Sequence, residues 1–466
     1  MDEFLKDINT LIFKEWIICE KEKNYDVYIE GVEENIIVIK NKYSYSQIIF
    51  NRMNIIELCV TNLLTNELEF YLHFQMTTIK HAIELFREML ESIRSISKKP
   101  IIKVLLTCSG GLTTSYFAQK LNEAAKILYK DYEIDAIAYQ QLFHVGEQYD
   151  IILLAPQISY AHAKVQTILK NQIVLNIPSG IFAKYDVGGL FDLIGNALTQ
   201  KKEVIEEQID VSLKLNHYSN KKVLCLSIIR NSERIHIVYR LYDEKNRVVI
   251  DNEIIKLRVS LQDFFDIIDT IIIHYPDIST VGITVPGIIN NGFISSTGID
   301  GFQNFDLGKA FKERYQQNLV ISNDVNATAV GIYASQNEYS SLSFLFQPIS
   351  TLSGIGNIVD GKLLKGRSNI AGEAQYLPIM SNDDKNILNK TPEGAIELAA
   401  KQVGSIISLL DPEAIFIGCV LIPDMKELRC ELEKYINTEY IPELVKIERM
   451  QEYIVLGQFI LCLQET

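Results

Sequence analysis

Residues 101–115 have the sequence Ile-Ile-Lys-Val-Leu-Leu-Thr-Cys-Ser-Gly-Gly-Leu-Thr-Thr-Ser. The apolar run that ends at Cys108 predicts a buried β-strand, and the glycines after it predict a turn into a helix. Such a turn directs several backbone N–H groups at one point, and the start of the helix adds partial positive charge there. We therefore expect an anion-binding loop in which the thiol of Cys108 is acidic, exposed and nucleophilic. The loop comprises Ser109, Gly110, Gly111, Leu112, Thr113, Thr114 and Ser115.

Three interpretations of this cysteine are open at the level of the loop. Low-molecular-weight tyrosine phosphatases place an arginine six residues after their nucleophile to clamp the phosphoryl group, and that position is Thr114 here, which disfavours hydrolysis. In a phosphoryl relay, hydroxyls and amides hold the thiophosphate without directing water onto it. The third interpretation is an unreactive thiol at the end of a buried strand, since such cysteines are usually buried and inert.

Two further segments extend the pattern. Residues 150–160 are an apolar strand followed by Ala-Pro-Gln-Ile, and 174–178 (Val-Leu-Asn-Ile-Pro) are followed by Tyr-Asp-Val-Gly-Gly at 185–189. With the cysteine loop, they make the chain from about residue 101 to residue 200 resemble the enzyme IIB subunit of the lactose/cellobiose branch of the sugar phosphotransferase system. The resemblance implies that Cys108 accepts a phosphoryl group from a IIA phosphocarrier. It would pass the group to a β-glucoside or cellobiose-type sugar at a membrane IIC protein.

The alternation of apolar runs and helical stretches predicts the fold of this part. Runs at 101–107, 134–138, 151–155 and 173–177 fit a small flavodoxin-like α/β domain, with a four-stranded parallel sheet and helices on both faces. Ligands of such sheets bind at the carboxyl ends of the strands, where Cys108 lies.

Composition limits the other functions. The chain has 466 residues and a formal net charge of −14, which disfavours a nucleic-acid partner. Its seven cysteines show no metal-ligand spacing, so we expect no metal site and a reducing, cytoplasmic compartment. The sequence has no signal-peptide pattern and no apolar run long enough for a membrane span.

The C-terminal half contains five short segments that occur in one order in a known family. They are Gly-Ile-Thr-Val-Pro-Gly at 282–287, Ser-Asn-Asp-Val-Asn-Ala-Thr-Ala at 322–329, Val-Asp-Gly-Lys-Leu-Leu-Lys-Gly at 359–366, Ala-Gly-Glu at 371–373 and Leu-Leu-Asp-Pro-Glu at 409–413. In these segments the chain resembles the ROK family of sugar kinases and repressors, which share a two-lobed, actin-like ATPase fold. ROK proteins are often dimers, so a homodimer through this part is an expectation.

Four segments are therefore predicted. Residues 1–99 form a small α+β module of unassigned role, 100–202 the IIB-like domain, 203–220 a polar linker and 221–466 the ROK-like domain. In many ROK repressors a helix-turn-helix precedes the sugar-binding part, whereas here the phosphotransferase domain occupies that place.

The sugar side of the ROK-like domain is half retained. Asp324 matches the family's catalytic aspartate, Glu373 matches its sugar-binding glutamate, and Asn323 completes the Asn-Asp pair. Residues 375–376 are Gln-Tyr where relatives often have Gly-His, and the family's sugar-binding asparagine falls on Gly298. No cysteine cluster follows, so we expect no structural zinc. A sugar or sugar phosphate is the expected ligand.

The nucleotide side is less complete. The family opens its first strand with Asp-x-Gly-Gly-Thr, where this chain has Ser227 for the aspartate and Ile229 and Arg230 for the glycines. The second phosphate turn corresponds to Ser-Thr-Leu-Ser-Gly at 350–354, although a shifted alignment lets Gly354 and Gly356 fill part of it. Residues 417–419 (Ile-Gly-Cys) replace a Gly-Gly pair that approaches adenosine. Bulky residues at such turns fill the space of a phosphate, so we expect no ATP binding.

Three hypotheses follow. The first is a IIB-type phosphotransferase component, with the phosphoryl group transiently on Cys108, fused to a sugar-sensing pseudokinase domain. The second is a non-catalytic regulator of sugar metabolism that senses phosphotransferase state and sugar. The third, disfavoured by the nucleotide side, is an active ROK sugar kinase.

Overall fold

The chain divides into two compact units in a computed structural model. It describes residues 3–20, 25–31, 35–96, 102–110, 112–127, 132–169, 172–200, 221–230, 234–296, 302–349, 352–422 and 424–465. The first unit comprises Met1–Phe70 and Met76–Ile209, and the second comprises Tyr71–Gln75 and Asp210–Thr466. The linker expected at 203–220 lies outside the described residues. Within the described ranges, no helix has both the length and the apolar character needed to cross a membrane.

The N-terminal part combines two helices with an antiparallel meander. Its elements are α1 (Glu3–Cys19), β1 (Asp26–Glu30), β2 (Ile36–Lys40), β3 (Ser44–Phe50), β4 (Ile55–Asn62), β5 (Leu68–Gln75) and α2 (Ile79–Ile96). Strands β1 to β4 pair in chain order, and alternate residues of β3 and β4 are buried, as expected of a sheet with one covered face. Phe13 of α1 packs edge-on against Phe86 of α2, with ring centroids 6.2 Å apart.

A parallel sheet follows in the same unit. Its elements are β6 (Ile102–Cys108), α3 (Leu112–Ile127), β7 (Tyr132–Ala138), α4 (Leu142–Val145), β8 (Ile151–Leu154), α5 (His162–Ile168), β9 (Ile173–Asn176), α6 (Ser179–Lys184) and α7 (Val187–Gln200). The strand order is β7-β6-β8-β9, and all pairs are parallel. Every residue of β8 is buried, because both faces of such a sheet are covered. The predicted four-stranded α/β domain is confirmed.

The second unit contains two larger sheets, which confirm the predicted two-lobed α/β fold. The strands are β10 (Lys222–Arg230), β11 (Ile235–Tyr242), β12 (Val248–Lys256), β13 (Ile278–Val285), β14 (Ile288–Asn290), β15 (Phe293–Ser296), β16 (Phe305–Asp306), β17 (Asn318–Asn323), β18 (Leu342–Phe346), β19 (Gly354–Val359), β20 (Lys362–Leu363), β21 (Ala414–Gly418) and β22 (Glu443–Lys446). One of the larger sheets has the order β5 (through Tyr71–Gln75), β12, β11, β10, β13, β17, and the other has the order β20-β19-β18-β21-β22. A third, small antiparallel sheet of the same unit has the order β14-β15-β16. The helices are α8 (Leu261–His274), α9 (Leu307–Lys312), α10 (Asp324–Ser335), α11 (Asn382–Leu388), α12 (Pro392–Leu410), α13 (Met425–Leu432) and α14 (Met450–Glu465).

Helices α10 and α14 approach each other unusually closely. A Cβ atom at Gly331 would overlap the carbonyl of Tyr453, and one at Gly457 would overlap the carbonyl of Ala327. The two helices therefore touch backbone to backbone. One continuous core cluster surrounds them and contains buried residues of both sheets, such as Cys225 of β10 and Phe344 of β18.

A buried histidine connects three elements of the second unit. His73 of β5 is 7% exposed, its Nε2 lies 2.8 Å from the Tyr239 hydroxyl and its Nδ1 lies 2.9 Å from the Thr270 hydroxyl. Burial, with a smaller effect from His274, lowers the pKa of His73 from its usual 6.5 to about 4. The folded chain therefore holds this imidazole neutral.

We predict that this histidine makes the second unit less stable in acid. Between about pH 6.5 and pH 4 the unfolded chain binds a proton that folded His73 rejects, which lowers the free energy of unfolding by up to about 3 kcal/mol as the pH falls. Urea unfolding across this range should show the loss in the wild type and a weaker pH dependence in His73→Gln. Equal pH dependence in both proteins would contradict the prediction.

Candidate functional sites

Cys108 is the last residue of β6, which lies between β7 and β8 in the parallel sheet. The chain leaves β6 toward α3 and leaves β8 toward the 3₁₀ turn Pro156–Ala161, and the backbone N–H of Ala155 donates to the carbonyl of Thr107. The two loops therefore meet at the point where the strand order reverses. This is the position at which open α/β sheets bind their ligands.

The thiol is buried, which corrects the expectation of an exposed cysteine. Cys108 is 5% exposed, and its Sγ lies 3.4 Å from Oγ1 of Thr114, which is itself fully buried. Thr114 lies in the first turn of α3, so its side chain projects back over the end of β6 and covers the sulfur. Ser109 and Gly110 are exposed beside it, and a Cβ atom at Gly110 would have no neighbour within 4 Å.

Most of the other residues of the predicted loop belong to the first turn of α3. Leu112 and Thr113 are the first two residues of α3, Ser115 is exposed on that helix, and Gly111 lies outside the described residues. Because α3 has 16 residues, its N-terminus supplies partial positive charge next to Cys108. A hydroxyl group, which can donate a hydrogen bond to a thiolate, and a helix start beside a sulfur atom suit a thiolate or a thiophosphate.

The second candidate site begins where β17 ends. The Oδ1 atom of Asn323 accepts from the backbone N–H of Asn326 and so caps α10, while its Nδ2 donates to the carbonyl of Gly287 at 3.0 Å. Asn323 is therefore used to fix the start of the helix and the loop after β13. Asp324, the first residue of α10, is 7% exposed and accepts a hydrogen bond from the backbone N–H of Val325 at 2.9 Å.

Glu373 acts on the titration of Asp324. Burial and, to a smaller extent, the Glu373 carboxylate together raise the pKa of Asp324 to about 6, against the opposing hydrogen bond from the backbone N–H of Val325. Burial also raises the pKa of Glu373, although a hydrogen bond of 3.1 Å from Nε2 of Gln375 to Oε2 of Glu373 opposes this. The structure thus brings together the two carboxylates that the sequence singled out. Neighbouring carboxylates of this kind can accept hydrogen bonds from hydroxyl groups of a ligand.

The main chain before Glu373 is held by β19. The backbone N–H of Ile355 donates to the carbonyl of Gly372 at 2.8 Å, and Gly354 forms an isolated antiparallel bridge with Glu373. Gly372 has a φ of +91°, and a Cβ atom there would overlap the carbonyl of Ile355, so only glycine fits.

The segments that the ROK resemblance aligns with phosphate turns lie partly in strands where the structure describes them. Strand β10 continues through Ile229 to Arg230, and Ser227 is fully buried and pairs with Thr284 of β13. Residues 298, 350 and 351 lie outside the described residues. Gly354 and Gly356 lie within β19, and a Cβ atom at Gly356 would be 2.6 Å from the carbonyl oxygen of Val325. The packing of β19 against α10 is therefore sufficient reason for glycine there.

The residues after Glu373 do not fit a structural zinc. Gln375 and Tyr376 stand where the ROK resemblance leads one to expect Gly-His, and among the described residues no three His, Cys, Asp or Glu side chains are placed to hold a metal ion. Instead, Nζ of Lys385 is surrounded by oxygen atoms of this segment. The sequence alone indicates neither the hydrogen bond between Gln375 and Glu373 nor the burial of Lys385. Lys385 occurs in the polar run 382–386, whose charge predicts a solvent-exposed helix face.

Comparison with known proteins finds two families. A family model described as PTS system, Lactose/Cellobiose specific IIB subunit matches residues 103–181, and one described as ROK family matches residues 236–386. The chain is similar to the oligo-β-mannoside-specific EIIB component of the phosphotransferase system of Bacillus subtilis, with 31% identity over 14% of this chain and 62% of that protein.

Other similarities concern the C-terminal half. The chain is 25% identical to the xylose repressor of Bacillus subtilis over 176 residues, 37% of this chain. It thus spans about two fifths (41%) of the repressor's length. A solved ROK family protein from Streptococcus pneumoniae in complex with sucrose has a TM-score of 0.43 and 19% identity, over 52% of this chain and 98% of that one.

We predict that Glu373→Gln lowers the pKa of Asp324 to a value between its usual 3.8 and about 6. The substitution removes the repulsion by a second carboxylate but leaves the burial, which is the larger cause. Carboxyl carbon NMR titration measures the change, and Glu393→Gln, an exposed change on α12, is the control. An unchanged Asp324 titration in Glu373→Gln would show that the two carboxylates do not interact.

Proposed function

Because the chain carries a lactose/cellobiose-type IIB domain and a ROK domain, we propose that it is a phosphotransferase-system component that accepts a phosphoryl group on Cys108. The observation that carries this proposal is the position of the Cys108 sulfur. It lies at the carboxyl end of β6, next to the start of α3 and 3.4 Å from the Thr114 hydroxyl. The absence of a guanidinium at position 114 favours storage of the phosphoryl group over its hydrolysis.

The proposed reaction has two displacements at phosphorus. The Cys108 thiolate attacks a phosphohistidine of a IIA partner, an S–P bond forms, the P–N bond breaks and the imidazole keeps the electron pair. A sugar hydroxyl held by a membrane IIC partner then attacks the same phosphorus. The S–P bond breaks, the thiolate is regenerated and a base at the sugar site takes the hydroxyl proton. The burial of Cys108 requires the donor histidine to enter at the exposed turn of Ser109 and Gly110.

We predict that the purified chain gains one phosphoryl group on Cys108. Intact-mass analysis after incubation with phosphoenolpyruvate, enzyme I, the histidine phosphocarrier protein and a cellobiose-type IIA should show the gain in the wild type and not in Cys108→Ser. Cys419→Ser is the matched control, because Cys419 is also a buried cysteine directly after a strand, and it should be phosphorylated as the wild type is.

Two results would count against this reading. No phosphorylation of the wild type would leave the cysteine as a strand-end thiol and favour the non-catalytic regulator. Phosphorylation without a role in transport would make Cys108 a reporter of phosphotransferase state. Cellobiose uptake separates a carrier from a reporter, since Cys108→Ser stops uptake only if the chain is the carrier.

For the ROK domain we propose sugar binding without phosphorylation. Asp324 and Glu373 lie close enough for their charges to interact, as hydroxyl-binding carboxylates should. The strand at Ile229 and Arg230, in contrast, occupies the position of the family's first phosphate turn. These two observations favour a sugar sensor over the remaining alternative, an active sugar kinase.

We predict that the protein binds at least one sugar of a panel of cellobiose, β-1,4-mannobiose and D-xylose, as measured by calorimetry, and that it does not bind Mg-ATP. Asp324→Asn should weaken sugar binding by roughly tenfold or more, because a charged acceptor is lost. ATP-dependent sugar phosphate formation by the wild type but not by Asp324→Asn would establish a kinase and reject the sensor.

A further inference from the structure

Lys385 of α11 is a buried cation in the segment next to Glu373. Its side chain is 2% exposed, and its Nζ lies 3.1, 3.2 and 2.9 Å from the carbonyl oxygens of Ala374, Gln375 and Leu377. The side-chain oxygen of Asn382 is a fourth acceptor at 3.2 Å. All four of these acceptors are uncharged amide oxygens, so it is carbonyl dipoles that solvate this ammonium group.

The three carbonyls belong to one short turn. Residues Ala374–Tyr376 form a single 3₁₀ turn, which Glu373 precedes and Leu377 follows directly. The carbonyl groups at the end of such a turn have few partners within it. An ammonium group has three N–H donors, which match three carbonyls that point to one place. Lys385 therefore ties the end of this turn to α11.

The hydrogen bonds of Lys385 are connected to the Glu373 carboxylate through Gln375. Gln375 lies in the turn and its Nε2 donates to Oε2 of Glu373 at 3.1 Å. On the other side, the carbonyl of Gly372 is bonded to Ile355 of β19. Glu373 is thus held between two anchors, the strand before it and Lys385 after it.

This ammonium group differs chemically from the structural zinc that the ROK resemblance leads one to expect in this segment. Many members of that family hold the segment after the glutamate with a structural zinc, and the residues here do not fit that metal. The ammonium group supplies a positive charge without cysteine or histidine ligands. Burial lowers the pKa of Lys385, which opposes its charge, while the surrounding carbonyl dipoles favour it.

We propose that Lys385 is a positioning residue of the sugar site: its ammonium group cross-links the turn 374–377 as a metal ion would and fixes Glu373 and Gln375 relative to Asp324. The inference rests on the proposed sugar binding of the ROK domain for its functional consequence. The cross-link itself is independent of any ligand.

The first test uses the wild-type chain. NMR of ¹⁵N-lysine-labelled protein at neutral pH should show a slowly exchanging side-chain ammonium signal that is lost in Lys385→Arg and kept in Lys390→Met, a change of an exposed lysine shortly after α11. Buried, hydrogen-bonded ammonium protons exchange slowly with water, whereas exposed ones do not. Lys256 is also buried and hydrogen-bonded, and its signal should remain in Lys385→Arg. Absence from the wild type of a signal that Lys385→Arg removes would overturn the proposal.

The second test measures the turn. In Lys385→Met, hydrogen exchange of the amides in 372–380 should accelerate by roughly tenfold or more, because three carbonyls lose their common partner. Lys390→Met should leave exchange in 372–380 unchanged. Equal exchange in the wild type and a folded Lys385→Met would overturn the cross-link, whatever the sugar result.

The third test connects the turn to binding of cellobiose, β-1,4-mannobiose and D-xylose. Where the wild type binds one of these sugars, Lys385→Met should bind it roughly tenfold more weakly, and Lys390→Met should bind it as the wild type does. Unchanged affinity in Lys385→Met would overturn the positioning role. No binding of any sugar by the wild type would instead reject the sugar-binding function, and the exchange experiment would still decide whether Lys385 cross-links the turn.

Discussion

The second unit depends on the contact between α10 and α14. Gly331 and Gly457 let the two backbones touch, and any larger residue at either position would overlap a carbonyl of the other helix. Because interiors are close-packed, such a contact fixes the helix axis far more tightly than side-chain packing does. Asp324 is the first residue of α10, so the same contact determines where its carboxylate lies. The glycine contact in the middle of α10 thus helps to position the Asp324 carboxylate at the start of the same helix.

Both candidate sites follow one topological rule. Cys108 ends the parallel strand β6, and Asn323 ends the parallel strand β17, and each strand is followed by a helix whose start points at the site. Parallel strands deliver their loops to one edge of the sheet, where helix N-termini add positive charge. The rule serves different chemistry in the two units. In the first it places a sulfur atom beside a helix start, and in the second it places a carboxylate there, where burial raises the pKa of Asp324.

The sequence predicts what depends on local pattern. The apolar runs around Cys108 predict the four parallel strands, and the Asn-Asp pair predicts the carboxylate that the structure places next to Glu373. The loop sequence fits both an exposed and a buried Cys108, because the difference depends on the contact of the sulfur with Thr114, six residues later. Lys385 escapes prediction for a similar reason. A lysine among polar neighbours predicts an exposed face, and only the tertiary position of the turn 374–377 makes it a buried cation.

Two glycines of β19 in the second unit are explained by packing, without a ligand. Gly354 and Gly356 lie in β19 with ordinary backbone angles, and each faces Val325 of α10 at a distance that leaves no room for a side chain. Their identity is therefore required by the same helix that presents Asp324, with or without a nucleotide. In the same unit β10 continues as regular strand to Arg230, at the position that the ROK resemblance gives to the first phosphate turn. Glycine in β19 is therefore no evidence for a nucleotide site, because the packing of this strand against α10 itself requires both residues.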